Sequence, residues 1–262
     1  MPTITLDGLR LAYTDEGHGV TIIFVPGLCG SREWFHYQST GLSKQFRIVA
    51  TDLRPARKAD YSLELLACDI YKLLLHLHVP AAIVAGHGLG ALVGLRFALD
   101  YPERCSALVL SSGCPTFRSV SAEQLISDMF VGQLARSNLW SRILSFLRLE
   151  RGSNRYEDTT DPLGFLAANN GAPDRQTLDA RVRLMREADL SPVLSRVRAP
   201  ALIVAGSNEP DYILSGCQTL YEELLDASME IIEGADHYHF FLRYDQFNSI
   251  LEEFVLDRVT PP

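Results

Sequence analysis

Two hydrophobic periods alternate along the first half of the chain. Along Leu9–Asp15 the large apolar residues Leu9, Leu11 and Tyr13 alternate with Arg10, Ala12 and Thr14, the pattern of a strand with one buried face. Four short apolar runs, Thr21–Val25, Phe46–Thr51, Ala82–Ala85 and Ala107–Leu110, predict further strands. Between them apolar residues recur at helical spacing. Ser62 is placed to cap a helix carrying Leu66, Ile70, Leu73, Leu74 and Leu77 on one stripe. Leu89–Leu99 is apolar on nearly every side, as for a helix buried behind a sheet, and Pro102 ends it. Strands alternating with helices predict an α/β fold, with a mostly parallel central sheet and helices on both faces.

That rhythm stops near residue 115. From 115 to 197 the pattern is polar and helical, with no clear strand. Ala201–Ala205 and "MEIIEGADH" then resume the strands, and Gln246–Leu256 predicts a closing helix. The expected organisation is a core of residues 1–114 and 198–262, with a helical cap inserted over 115–197.

Composition adds exclusions. Of the 262 residues, 47% are apolar and 21% charged, as in a globular protein with a sizeable core. The formal charge is 24 − 32 = −8 and no long basic run occurs, which argues against nucleic acid or an anionic membrane as partner. The N-terminus lacks the basic and apolar regions of a secretory signal, and no apolar stretch is long enough for a membrane span. Five scattered cysteines without a C-x-x-C pair read as reduced thiols, so a cytoplasmic location is expected. No histidine or cysteine spacing resembles a metal site, and no cofactor is expected. The sequence does not define an oligomeric state.

The most informative stretch is "IVAGHGLG", residues 83–90, where a strand-like run enters a helix-like one through Gly86, Gly88 and Gly90. Gly86, Gly88 and Ala91 formally fit a dinucleotide fingerprint. That fingerprint normally opens the first βαβ unit, however, and needs an acid about 20 residues on, at the end of the next strand. Here several strands precede it, and the next strand ends in Ser111 and Ser112. The alternative is a nucleophile elbow, G-x-S-x-G, with Gly88 at the serine position.

The segments around this turn resemble those of the α/β-hydrolase family. "FVPGLCGS" is similar to the oxyanion loop after the third strand. "VATDLRPARKADYSLELLACDI" is similar to the segment that usually carries Gly-His-Gly, which is lost here. "YPERCSALVLSS", "DLSPVLSRVRAPALIVAGSNEPD" and "IIEGADHYHFF" follow in the family's order. The resemblance covers nearly the whole chain and implies an α/β-hydrolase fold. Carried over by position, it implies a triad of Gly88, Glu209 and His237, with Asp211 as a substitute acid and His239 as a neighbour. It also implies an oxyanion hole formed by the backbone N–H groups of Leu28 and Leu89.

Glycine has no side chain, so covalent serine chemistry is excluded at position 88. Cys29, Ser111 and Ser112 are candidate substitutes, each with a bland reading as a buried core residue. His87 supports the elbow or takes part in chemistry. Trp34, Phe35 and Trp140 are expected to wall a pocket or to pack. The expected function is an enzyme using a His–carboxylate pair and a backbone oxyanion hole for cofactor-free proton abstraction. It would act as a lyase, isomerase, cyclase or dioxygenase on a small hydrophobic or aromatic substrate. Two alternatives remain: hydrolysis by histidine-activated water, and a non-catalytic binding or interaction protein.

Overall fold

The computed structural model describes residues 1–57, 61–130 and 162–259. Eight strands form one sheet: β1 Thr3–Leu6, β2 Leu9–Glu16, β3 Thr21–Val25, β4 Arg47–Thr51, β5 Ala82–His87, β6 Cys105–Ser111, β7 Ala201–Gly206 and β8 Ala227–Ile232. Their order is β1-β2-β4-β3-β5-β6-β7-β8. β2 pairs antiparallel with both β1 and β4, and the strands from β4 to β8 run parallel. The helices are α1 His36–Leu42, α2 Leu63–His76, α3 Leu89–Asp100, α4 Ala122–Phe130, α5 Pro162–Ala168, α6 Arg175–Glu187, α7 Asp211–Glu223, α8 His239–Leu242 and α9 Tyr244–Arg258. No helix among the described residues is long and apolar enough to cross a membrane.

Period-two alternation explains the layers. Ile23, Val25, Val49, Val84, Leu108, Leu110 and Ile203 share one core cluster with α2, α3 and α7. Their strand neighbours Ile22, Phe24, Ile48, Ile83, Val109 and Val204 share a second cluster with α1 and α9. Both faces of the inner parallel strands are apolar because helices cover both, whereas β8, at the edge, carries Ser228 and Glu230 and is partly exposed.

The alternating run Leu9–Asp15 lies within β2, and a further strand, β1, precedes it. Asp7 and Gly8 take φ of +51° and +77°, and this tight turn folds β1 back on β2. The α7 helix has no counterpart in the sequence reading. Its buried stripe is Ile213, Cys217 and Leu220, interrupted by Ser215 and Gly216, so a buried cysteine stands in for an aliphatic residue. The predicted Ser62 cap is present, with its hydroxyl accepting from the Leu65 N–H at 3.2 Å. In the segment between β6 and β7, the described residues form helices and turns, with a lone bridge between Thr116 and Asp189. Trp140 lies outside the described residues.

Candidate active site at the β5–α3 turn

The turn from β5 into α3 places Gly88 at φ +54° and ψ −110°, a conformation costly for residues with a Cβ. Its flanking glycines are required by proximity. A Cβ on Gly86 would lie 2.1 Å from the Gly90 carbonyl oxygen, and one on Gly90 would lie 2.1 Å from that of Val25. The loop after β3 therefore packs directly on the start of α3. The amides of Leu28 and Leu89 are buried at this junction and have no hydrogen-bond partner among the described residues.

The late segments bring a carboxylate and an imidazole to the same place. Glu209 follows β7 and His237 follows β8. His237 Nδ1 lies 3.0 Å from Glu209 Oε2 and 3.3 Å from Oε1. The His237 side chain is 10% exposed and that of Glu209 is fully buried. Burial pushes the Glu209 carboxyl up, but His237, His239 and the Ser112 hydroxyl more than offset it and hold the group below its ordinary value. An ionised Glu209 accepts from Nδ1–H, which leaves His237 Nε2 with its lone pair. Nε2 has no hydrogen-bond partner among the described residues.

A second set of polar groups lies behind this pair. The Ser111 hydroxyl is 3.1 Å from His87 Nδ1 and 3.0 Å from His239 Nε2. His239 Nδ1 lies 3.3 Å from the Asp236 carbonyl oxygen, which can only accept. So His239 carries its proton on Nδ1, Ser111 donates to Nε2, and His87 Nδ1–H donates to Ser111. The imidazoles of His87 and His237 are 4.5 Å apart between ring centres. Burial lowers the His239 pKa to about 4 and, together with His237 and His239, holds His87 well below the ordinary value.

These buried neutral rings make stability depend on pH. The unfolded chain takes up their protons near pH 6.5, whereas the folded chain resists until about pH 4 at His239. Their stabilising contribution is complete above about pH 6.5 and is lost as pH falls toward 4, at up to roughly 1.4 kcal/mol per pH unit per site. Denaturant midpoints should therefore fall steadily between pH 7 and 4.5, and less steeply in His239→Gln. A flat profile over that range would contradict this placement of the rings.

Other candidates fall elsewhere. Glu209, not Asp211, is the carboxylate on His237; Asp211 is exposed in the first turn of α7, where a negative charge suits the helix dipole. Burial pushes the Cys29 thiol up to about 12 against the opposing charge of Arg181, so it stays protonated and unreactive at neutral pH. Ser112, held at φ +48°, donates to Glu209 and supports the acid. Ser111 is committed to the two histidines. Trp34 donates from Nε1 to the Leu166 carbonyl at 2.9 Å and meets Tyr238 edge-on, while Phe35 packs between Phe24 and Phe240. Among the described residues, no group of three His, Cys, Asp or Glu side chains could hold a metal ion.

The sequence reading missed Arg181. This α6 residue is buried and donates to the carbonyls of Leu28 (2.7 Å) and Leu53 (3.1 Å) and to the Tyr61 hydroxyl (3.3 Å). In "DRQTLDARVRLMREADL" nothing separates it from its solvated neighbours Arg175, Arg183 and Arg186.

Comparison with known proteins gives the same setting. A family profile described as "Alpha/beta hydrolase family" matches residues 22–250. The chain is 26% identical to "Putative carbamate hydrolase RutD" of Caulobacter sp. (strain K31), over 97% of this chain and 98% of that protein. It is 22% identical to "3-oxoadipate enol-lactonase 2" of Acinetobacter baylyi, over 95% of this chain and 94% of that protein. The crystal structure of the enol-lactonase from Burkholderia xenovorans LB400 superposes with a TM-score of 0.79 at 20% identity, over 97% and 100% of the two chains.

Proposed function

The chain belongs to the alpha/beta hydrolase family, and we propose that it hydrolyses a small ester, lactone or carbamate without a covalent intermediate. In this reading His237 activates water in place of the missing serine. The observation that carries it is the His237–Glu209 pair, aligned with Nε2 free, beside an elbow that has no nucleophilic side chain. Removing a serine side chain frees about the volume of one water, ~30 Å³.

The chemistry is a general-base attack. Water oxygen bonds to the substrate carbonyl carbon as its proton passes to His237 Nε2. The oxygen that becomes negative is received by the N–H groups of Leu28 and Leu89. Collapse breaks the bond to the leaving alcohol or amine, which takes the proton from His237. Glu209 orients the ring and stabilises its protonated form. The names of the relatives support hydrolysis over the lyase or isomerase chemistry expected from the sequence.

A second reading keeps the same base and takes the proton from carbon. The aromatic packing of His87 and His237 against Tyr238 and Phe240 suits an apolar carbon acid. A screen of lactones, carbamates, aryl esters and enolisable ketones in H₂¹⁸O and D₂O separates the two. Hydrolysis places ¹⁸O in the acid product. Deuterium exchange into recovered ketone, with no ¹⁸O product from any ester, lactone or carbamate, would replace the first reading by the second.

A further inference from the structure

Arg181 carries an unusual burden for a buried cation. Its residue is 3% exposed, and the acceptors of its guanidinium are the carbonyls of Leu28 and Leu53 and the Tyr61 phenol, all neutral. Burial raises the Tyr61 pKa, so the phenol cannot serve as an anion. No described carboxylate pairs with Arg181. Asp69 is bound to Arg54, Asp7 to Arg54 and Lys72, and Asp52 to Arg32. A buried charge without a counter-ion is disfavoured unless something else neutralises it.

The position of that charge says what could do so. Nη1 is 2.7 Å from the carbonyl oxygen of Leu28, the residue whose amide has no hydrogen-bond partner among the described residues. Carbonyl and amide of one residue are a few ångströms apart. The α3 N-terminus opens at Leu89 on the other side of the same junction. The guanidinium, the Leu28 amide and the α3 N-terminus are thus three sources of positive potential on segments that meet at this turn.

We propose that Arg181 makes this site selective for a carboxylate oxygen or an equivalent oxyanion, by setting a charge that no described carboxylate neutralises on the carbonyl of Leu28, the residue that supplies the amide. The ligand class is a small carboxylic-acid anion. This deepens the hydrolytic reading above and rests on its assignment of the Leu28 amide to the oxyanion position. Arg181 acts through the loop and its field, so it is a positioning and specificity residue rather than a catalytic one. Bracing alone accounts for its hydrogen bonds, yet leaves it without a counter-ion among the described residues.

The test compares a charged ligand with its neutral isostere. Binding of 4-fluorobenzoate and 4-fluorobenzamide is followed by ¹⁹F NMR in the wild type, Arg181→Lys, Arg181→Met and Arg181→Gln, each checked for folding by thermal melting. The wild type should bind the benzoate at least about 10-fold more tightly. Arg181→Lys should keep most of that preference. Arg181→Met and Arg181→Gln should abolish it; the second keeps polar donors should the first not fold. Any of three results overturns the proposal: no preference in the wild type, a preference kept without the charge, or equal loss in the lysine and neutral variants, which is the mark of a brace. Loss of the preference in His237→Ala would assign it to the imidazole and also overturn it. Turnover does not enter this test, so its failure leaves the general-base role of His237 standing.

Discussion

Replacing His237 by alanine should lower turnover of the substrate at least about 10²-fold, with the fold retained. The reason is specific to one atom. Among the described residues Nε2 is the one unpartnered base that the Glu209 carboxylate orients, and neither His87 nor His239 can take over. Their rings are buried, face Ser111, and resist protonation at neutral pH. Removal of the His237 ring leaves Glu209 its hydrogen bond from Ser112, so the carboxyl is not stranded. Glu209→Gln should cost less than His237→Ala, since an amide still holds the ring while the charge is lost. The comparison requires steady-state kinetics alongside circular dichroism of each variant. Unchanged turnover in a folded His237→Ala protein would remove this histidine from the mechanism.

The second large effect is a gain. Gly88→Ser should convert a chain that ignores fluorophosphonate probes into one labelled stoichiometrically at position 88, with a modest rise in activity on activated aryl esters and a burst that the wild type lacks. The backbone there turns from β5 into α3 at φ +54° and ψ −110°, and His237, already paired with Glu209, lies 4.5 Å from the ring of the adjacent His87. The added Cβ must bear that conformation, so a loss of about 1–3 kcal/mol of stability is expected. Peptide mapping of the labelled protein checks the site. A folded variant without label would show that the base or the loop after β3 is out of position.

How far the sequence reveals this arrangement depends on the physics behind each part. The sheet was legible because its inner parallel strands are apolar on both faces, and such runs stand out between turn residues. Glu209 and His237 were legible from their neighbours, Pro210 and "GADH", once the order of segments suggested the family. The choice of Glu209 over Asp211 was not, because both follow β7 within three positions, and only the start of α7 turns Asp211 outward. The roles of Ser111 and Ser112 were not legible either. They depend on which side of β6 each faces and on the positive φ of Ser112, which no local pattern encodes. Arg181 reaches the site from 153 residues away in sequence, so no short-range signal could connect it with Leu28.

The central claim is that chemistry here proceeds without an enzyme-bound acyl group, and intact-mass analysis of the wild-type chain tests it most directly. The protein is mixed with p-nitrophenyl acetate and quenched in acid while nitrophenol is being released. The expected result is release that requires His237, without a burst, and a chain of unmodified mass. A burst matched by one acetyl group on a serine or cysteine, absent in His237→Ala, would contradict the account.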